Sequence, residues 1–522
     1  MMRGFDSFLA FSKASWKPVS LLHRSFAASL VTTKHTYQVY FFSGKTSVIQ
    51  EQLEFSQRNN GINGMGEKTT NAIRVMSVQY VKPDKPTPHT LQSYKLSALD
   101  QVNAPSYVPF IFFYPNNVNG NTIVNIDNLV TERSKLLRDS LSETLTRFYP
   151  FAGKYINDNH IECNDEGVYY VETRYDSFLS SFLAKPDYKL LQGLLPIPPN
   201  LKEPTRGYFL SLIQVNFFSC GGVGISMSNS HKLIDGCTYT AFLNSWAAAA
   251  KGDQQKMIYP SFVASSLFLS NSIPPTYPSI PLSSLAERPM ILNRGRCLTK
   301  RFWFNASALQ ALKERAAASV SSTRVVAVTS LIWNCATAAA RKLHGERPSI
   351  LQTAVNIRGR FTPPLPPNSI GNIIWNAVAR CESKDSLRFD TMVGLMNAGI
   401  AKVNTSFVEQ FKGEQGSNNV IDELKRLGGQ MSTYDADYYS SSSMCHSGLY
   451  EADFGWGRPV WSCYGNSSNT DALFTNAILL MDTRTGDGIE AWVTLSQEEM
   501  DIVERDPDLL LYASVERNPF QD

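Results

Sequence analysis

The sequence lacks the local patterns that identify several common enzyme classes. No two of its cysteines are spaced Cys-x-x-Cys, so a zinc site or a dithiol redox centre has no support. It has no His-Glu-x-x-His and no glycine-rich phosphate loop followed by lysine. A Gly-x-Ser-x-Gly elbow is also absent, because Ser228 stands where the second glycine would have to be. The patterns therefore give no reason to expect a metal-dependent protease, a nucleotide hydrolase or a serine hydrolase.

Strong charge and long apolar runs are also missing. The net charge is only +3 over 522 residues, which gives no electrostatic case for nucleic acid. The most apolar run, residues 325–340, contains Asn334 and several hydroxyl side chains and is shorter than the roughly 20 residues a bilayer requires. We expect a buried helix there that ends near Arg341 and Lys342, and no membrane partner.

Length and composition indicate a globular protein with a large core. The chain is 43% apolar and 18% charged, and 522 residues exceed the size at which a single core stops growing, which suggests two domains or more. Scattered cysteines in a long chain are typical of reduced core residues and favour a cytoplasmic location. The cysteines are Cys163, Cys220, Cys237, Cys297, Cys335, Cys381, Cys445 and Cys463.

The N-terminal segment differs from the rest of the chain. Through residue 50 its only acid is Asp6, against six lysines and arginines and many serines, a composition typical of a plastid or mitochondrial transit peptide. An over-extended translation start, with the working protein beginning near Met65, is the alternative. We predict an extension at 1–70, an N-terminal domain at 71–257, a linker at 258–299 and a C-terminal domain at 300–522.

Periodicity places the main elements of the N-terminal domain. Residues 129–148 carry an apolar helical face that includes Leu136, Leu137 and Leu141, and Pro150 ends the helix. Residues 208–218 and 223–227 are predicted strands joined by a Cys-Gly-Gly turn. Residues 238–250 are a predicted helix with Gly252 as its C-cap.

The next segment, residues 259–289, contains six prolines among many serines and has no helical period, which favours a crossover between the domains. In the C-terminal domain, Ser307 with Gln310 and Ser496 with Glu499 predict helix-opening capping boxes.

The sequence SHKLIDG at residues 230–236 is the main candidate for chemistry. It places His231 just past a predicted strand, with Asp235 four residues later and a glycine next. A neutral imidazole can take the proton of an alcohol as the alcohol attacks, typically worth about 10²–10⁴ in rate. Asp235 allows two interpretations: it orients the imidazole as in a catalytic triad, or it pairs with a basic group in the core.

A second rare sequence, DFGWG at residues 453–457, lies in the C-terminal domain. Its two glycines flank Trp456 and permit a tight segment that a ligand could approach closely. On physical grounds alone, a structural turn with Trp456 as a packing residue is equally compatible with this sequence.

The two motifs in this order, separated by this linker, resemble the plant BAHD acyl-CoA-dependent acyltransferases. The resemblance covers residues 75 to the C-terminus, and within the family it is closest to alkaloid and terpenoid alcohol acetyltransferases of the vinorine synthase type. Further matching strings are 81–83 (VKP), 86–88 (PTP), 93–97 (SYKLS), 96–101 (LSALDQ), 112–115 (FFYP), 148–154 (FYPFAGK), 355–360 (VNIRGR), 371–372 (GN) and 486–493 (GDGIEAWV).

This resemblance implies a mixed α/β fold of two similar-sized, chloramphenicol-acetyltransferase-like domains with a channel between them. His231 would be the general base in a ternary complex. Asp235 would be structural and paired with an arginine, for which we expect Arg301. Asp453 would hold its own loop.

The resemblance also implies which residues serve the co-substrate. Gly455, Trp456 and Gly457 would lie near the CoA channel, and Asn356 and Arg358 would support the CoA side. We expect an acyl-CoA, foremost acetyl-CoA, as co-substrate, with no bound cofactor or metal, a small-molecule alcohol as acceptor, and a monomer. The sequence does not identify the group that stabilises the oxyanion.

Other functions stay open at this point. Related condensation domains of peptide synthetases carry a second histidine where this chain has Ser230, which argues for a stand-alone CoA enzyme. An aromatic or longer acyl donor, an amine acceptor, a thioesterase and a non-catalytic relative that binds ligands are the alternatives.

Overall fold

The computed structural model describes residues 73–103, 106–116, 125–157, 160–186, 188–196, 209–271, 293–317, 321–382, 387–431, 436–465 and 471–519. The predicted N-terminal extension and residues 272–292 of the predicted linker lie outside these ranges.

Strands in the described part of the chain form two large sheets and one small sheet. In chain order the strands are β1 (Ile73–Val81), β2 (Ser93–Lys95), β3 (Tyr107–Tyr114), β4 (Lys154–Asn157), β5 (His160–Glu162), β6 (Val168–Tyr175), β7 (Ser211–Phe218), β8 (Val223–Ser230), β9 (Asn293–Phe304), β10 (Ser349–Asn356), β11 (Ile374–Cys381), β12 (Asp437–Ser443), β13 (Trp461–Tyr464), β14 (Asp471–Phe474), β15 (Ala477–Asp482), β16 (Ile489–Ser496) and β17 (Ser514–Val515).

The first sheet has the order β1-β6-β7-β8-β3-β13, and the second β11-β10-β12-β15-β16-β9-β14, with β17 on β9. Both are mixed: β6 runs parallel to β7, and β12 runs parallel to β10 and β15. Strand β13 comes from the predicted C-terminal domain but pairs with β3, placing Trp461 opposite Phe113. The two halves of the chain therefore both contribute strands to the first sheet. The predicted domain boundary at residue 300 did not include such a strand exchange.

Helices cover the sheets in the described ranges. They are α1 (Ala98–Gln101), α2 (Ile126–Arg147), α3 (Leu179–Ala184), α4 (Tyr188–Gly193), α5 (Gly236–Lys251), α6 (Ala264–Leu267), α7 (Ala306–Ala317), α8 (Arg324–His344), α9 (Phe389–Ala401), α10 (Thr405–Glu409), α11 (Gly416–Met431), α12 (Gln497–Val503) and α13 (Pro507–Leu510).

Helices α2 and α5 pack against each other in the core of the first sheet. The indole N–H of Trp246 on α5 donates to the carbonyl oxygen of Leu137 on α2 at 3.0 Å, which satisfies a polar atom that burial would otherwise leave without a partner. Phe454 and Trp461 belong to the same core cluster. The core beside α5 is thus completed by residues from around the DFGWG motif.

The helix predictions are confirmed in outline and wrong in two details. Helix α5 begins at Gly236 and ends with Gly252 in the left-handed conformation, and Ser496 and Glu499 form the predicted capping box. Leu136, however, is 37% exposed, because it lies at the edge of the buried face of α2. Ser307 does not cap α7.

The cap of α7 comes from Asn305 instead, whose side-chain oxygen accepts from the amide N–H of Ala308 at 2.7 Å. The helix begins at Ala306, which places Ser307 inside the first turn rather than in front of it.

The run at 325–340 forms α8, which is largely buried and carries Arg341, Lys342 and His344 in its last turn. Among the described residues, none of the helices combines the length and the apolar character that crossing a bilayer demands.

Candidate active site

The turn after β8 presents His231. Strand β8 ends at Ser230, and the main-chain N–H of His231 donates to the carbonyl oxygen of Ser106 at 2.7 Å. The buried side chain of Lys232 donates to the carbonyl oxygen of Gln101 at 2.6 Å. These contacts fix the turn against the end of α1 and the segment that follows it, while the half-buried imidazole keeps part of its surface accessible.

The imidazole pairs with Asn372. Nδ1 of His231 lies 3.0 Å from Oδ1 of Asn372, and Nδ2 of Asn372 donates to the carbonyl oxygen of His231 at 2.6 Å and to Oδ1 of Asp100 at 3.3 Å. Because both of these partners accept, the amide nitrogen belongs on their side and Oδ1 belongs on the side of the ring. Nδ1 therefore carries the hydrogen, and Nε2 keeps the lone pair that a general base needs.

Asp235 contacts Arg358. Its oxygens accept from the Arg358 guanidinium at 2.6 and 3.1 Å, and also from the amide N–H groups of Thr238 and Ile373 at 2.9 and 3.0 Å. The first of these amides lies at the N-terminus of α5, so Asp235 is the N-cap of that helix. With both oxygens occupied in this way, the geometry favours the structural interpretation of Asp235 over the triad.

The arginine that pairs with Asp235 was predicted incorrectly. Arg301 lies on β9 and pairs with Glu490 at 3.0 Å, with both side chains 2% exposed. Its guanidinium also lies 5.1 Å from the ring centre of Trp461 on β13. The sequence suggested Arg301 because it follows the linker, but a residue's place in the chain does not determine its tertiary partner.

Arg358 also organises the loop that carries Asn372. Its guanidinium donates to the carbonyl oxygens of Ser369 and Gly371 as well as to Asp235. Burial alone would lower the pKa of Arg358, but the charge of Asp235 outweighs it and the pKa is raised, so the guanidinium stays charged. Because Arg358 is buried, its predicted support of the CoA side can only be indirect.

Asn356 is the exposed neighbour of this pair. It ends β10, its Nδ2 lies 3.2 Å from Sγ of Cys237, and its Oδ1 accepts from the main-chain N–H of Arg358 at 3.1 Å. Burial raises the pKa of the Cys237 thiol, so that sulfur stays protonated near neutral pH.

The DFGWG segment is a loop closed by Asp453. One carboxylate oxygen accepts from the amide N–H groups of Gly455 and Gly457, each at 2.9 Å, and the other contacts the ammonium group of Lys251. The two glycines have φ values of 103° and 106°, which disfavour other residues. The carboxylate thus determines the shape of the loop, as predicted from the resemblance.

Trp456 packs between two other side chains. Its ring is stacked on Phe454 at 5.8 Å, and the guanidinium of Arg133 lies 4.9 Å from the ring centre. The indole nitrogen is buried and has no hydrogen-bond partner among the described residues.

Helix α5 separates the two motifs. Asp235 caps its N-terminus, and Lys251, its last residue, holds Asp453. Sixteen residues at 1.5 Å each give a separation of about 24 Å. Asp453 therefore lies too far along the helix to contact the atoms that react at His231.

Asp100 and Asn372 were not identified as site residues from the sequence, although both lie in strings quoted for the resemblance. They are 272 positions apart, so no local spacing connects them. Both are polar residues inside a string that matches the family, and that combination is the signal that could have singled them out.

Among the described residues, no group of three histidine, cysteine, aspartate or glutamate side chains is placed to hold a metal ion. The polar groups around His231 instead form a hydrogen-bonded network of a base, an amide and a carboxylate.

Comparisons with known proteins agree with this arrangement. The Transferase family model matches residues 71–510. A limonoid 7-O-acetyltransferase from Citrus sinensis is 36% identical over 459 residues, which cover 85% of this chain and 99% of that protein. A stemmadenine O-acetyltransferase from Catharanthus roseus is 33% identical over 442 residues, covering 83% and 96%. The crystal structure of vinorine synthase matches with a TM-score of 0.68 and 28% identity, covering 85% of this chain and 98% of that chain. This match confirms the predicted two-domain α/β fold.

Proposed function

Because the chain belongs to the Transferase family, the BAHD acyltransferases that its motifs resemble, we propose that it transfers an acyl group from acyl-CoA to a hydroxyl group of a plant specialised metabolite. The observation that carries this proposal is the geometry of His231. Its Nδ1 is hydrogen-bonded to Oδ1 of Asn372, so Nε2 keeps the lone pair of a base, and the ring is only half-buried.

The reaction follows from that geometry in two steps. As the acceptor oxygen bonds to the acyl carbon, its proton passes to Nε2 of His231. When the carbon–sulfur bond then breaks, His231 returns this proton to the departing thiolate, and the products are an ester and free CoA. Asp235 stabilises the structure of the site and takes no part in the proton transfer, because its oxygens accept from Arg358 and from the amides of Thr238 and Ile373.

Acetyl-CoA is the donor that we propose, and a terpenoid or alkaloid alcohol the acceptor. The support is that two relatives above 30% identity are named as O-acetyltransferases, one of a limonoid and one of stemmadenine. We further propose that Asn356, Gly455, Trp456 and Gly457 serve the CoA side. The support is the exposure of Asn356 and the indole N–H of Trp456, which has no hydrogen-bond partner among the described residues.

We also propose that the enzyme works as a monomer in the cytoplasm. The support for the monomer is that His231, Asn372 and Asp100 hydrogen-bond to one another within one chain. Cys163, Cys335 and Cys463 are buried as thiols rather than as disulfides, which suits a reducing compartment. Size-exclusion chromatography tests the first proposal. Fluorescent fusions of the full chain and of residues 65–522 test the second, since organelle import of the full chain alone would support the transit peptide.

The decisive experiment is a screen of acetyl-, malonyl-, benzoyl- and coumaroyl-CoA against terpenoid and alkaloid alcohols and amines. It follows CoA release with a thiol reagent and product mass by mass spectrometry. Acceptor-dependent CoA release with one added acyl group supports the transferase and names its donor. CoA release without any acceptor would indicate a thioesterase, and CoA binding without turnover would indicate a non-catalytic relative.

A further inference from the structure

The buried carboxylate of Asp100 contacts Asn372 twice. Its Oδ1 accepts from the main-chain N–H of Asn372 at 2.7 Å and from the side-chain Nδ2 at 3.3 Å. Its Oδ2 accepts from the main-chain N–H and the hydroxyl of Ser97 at 2.9 and 2.7 Å, the capping box that begins α1. One oxygen of Asp100 therefore accepts hydrogen bonds at the start of its own helix, α1. The other oxygen accepts hydrogen bonds from Asn372, the residue that contacts His231.

Two acceptors decide which way round the Asn372 amide lies: the carbonyl oxygen of His231, 2.6 Å from Nδ2, and Oδ1 of Asp100, 3.3 Å from it. An amide can place either its oxygen or its nitrogen towards Nδ1 of His231, and the two choices select opposite tautomers of the ring. With nitrogen towards the ring, Nδ1 would have to accept and Nε2 would carry the hydrogen. The ring would then have no lone pair to offer an alcohol.

We propose that Asp100 is a positioning residue for His231. Asp100 accepts from the main-chain and side-chain N–H groups of Asn372 and so acts together with the carbonyl oxygen of His231. The two acceptors keep the oxygen of the Asn372 amide towards the ring, and so hold the tautomer in which Nε2 is free to take a proton. The effect on turnover rests on the proposed acyl transfer, whereas the effect on the tautomer does not.

The surrounding residues allow this contact and hold it in place. Gly371 has a φ of 122°, and a Cβ on it would lie 3.2 Å from Oδ1 of Asp100, so a side chain there would crowd the carboxylate. Arg358 donates to the carbonyl oxygen of Gly371 at 3.0 Å, which holds the loop in place. Asp100 is fully buried, so bulk water does not compete for its oxygens.

Ser97 supplies a matched control. Ser97→Ala removes the hydroxyl that caps α1 but leaves Oδ1 of Asp100 on Asn372. Asp100→Ala removes the acceptor on both sides, and so leaves the N–H groups of Asn372 without Oδ1. A merely structural role predicts the same outcome for both variants, whereas a positioning role separates them.

The experiment is ¹⁵N NMR of histidine-labelled full-length protein, with the His231 signals assigned by their loss in His231→Gln. In the wild-type protein we expect neutral His231 to carry its hydrogen on Nδ1. We expect Ser97→Ala to keep this signature and to keep kcat within about threefold. In Asp100→Ala we expect the other tautomer to gain population and kcat to fall at least tenfold, with an unchanged KM for acyl-CoA.

Two results would overturn the proposal. The first is a wild-type His231 that carries its hydrogen on Nε2, a result that does not depend on whether any variant folds. The second is a folded Asp100→Ala protein with the wild-type signature and kcat. If instead the signature changes as expected but the wild-type protein acylates nothing in the donor–acceptor screen, the proposed function fails and the positioning role stands.

Discussion

Asp235 and Arg358 form a doubly hydrogen-bonded ion pair inside the protein, with side chains 1% and 3% exposed. This pair joins the N-terminus of α5 to the loop that carries Asn372, and so it ties the helix that follows His231 to the loop that contacts it. Its contribution is structural, and it can be separated experimentally from the chemistry of the imidazole.

Replacing Asp235 with asparagine should destabilise the fold and leave the pH dependence of turnover unchanged. The variant leaves the Arg358 charge buried without its partner, which typically costs about 3–5 kcal/mol. Denaturant unfolding measures the loss. Asp390→Asn is the control, because its pair with Arg388 lies at the surface, and we expect little change there. A shifted pH profile in well-folded Asp235→Asn would support the triad interpretation instead.

Replacing His231 with alanine should abolish most turnover without unfolding the protein. Loss of a general base typically lowers kcat by about 10²–10⁴. The measurement is CoA release with the best donor and acceptor, alongside thermal unfolding. His89→Ala is the matched control, since His89 is exposed in a short 3-10 helix. Substantial residual transfer by His231→Ala would refute the assignment of the base.

Replacing Asp453 with asparagine should lower stability at neutral pH more than in acid. Burial raises the pKa of Asp453, but the hydrogen bonds from Lys251, Gly455 and Gly457 outweigh it, and the net pKa is lowered. A lowered folded pKa stabilises the protein above the ordinary aspartate value, and that contribution is lost as the pH falls through the folded value.

Urea midpoints of the wild-type and Asp453→Asn proteins should therefore differ at pH 7 and converge as the pH falls below about 4. Lys251→Gln should show a smaller difference, because the two glycine amides still bond the carboxylate. A difference between the wild-type and Asp453→Asn urea midpoints that stays constant with pH would show that the carboxylate charge does not hold the loop.

Replacing Trp461 with alanine should destabilise both halves of the protein together. This buried ring is stacked on Phe113 at 5.6 Å and on Trp492 at 6.2 Å, and it lies beside Arg301. A buried tryptophan-to-alanine change typically costs about 3–5 kcal/mol. Phe178→Ala, at a 57% exposed aromatic, is the control. Two separate unfolding transitions, with only one of them shifted, would contradict the shared core.

The sequence predicted those features that are encoded locally. The strand before His231, the helix after Asp235 and the capping box at Ser496 each follow from residues within one or two turns. Pairings between distant residues could not be read in this way. Asp235 and Arg358 are 123 positions apart, and nothing near either residue distinguishes Arg358 from Arg301 as the partner.

The candidate active site also depends on pairings between distant residues that the sequence does not predict. His231 was found because its neighbours form a recognisable string, whereas its partner Asn372 lies 141 positions away. The role of Asn372 depends on which end of its amide faces the ring, and that depends on a third residue, Asp100, from yet another segment. Only the folded arrangement brings these three together.

The position of β13 in the first sheet has a consequence for how the protein is made. A ribosome completes β1, β3 and β6 to β8 long before it reaches Trp461, so the edge of β3 has no partner during most of synthesis. An unpaired strand edge is a site for mispairing and aggregation. The newborn N-terminal half therefore depends on the last part of the chain to cover it, and cutting the gene at the domain boundary would yield a protein with that edge permanently open.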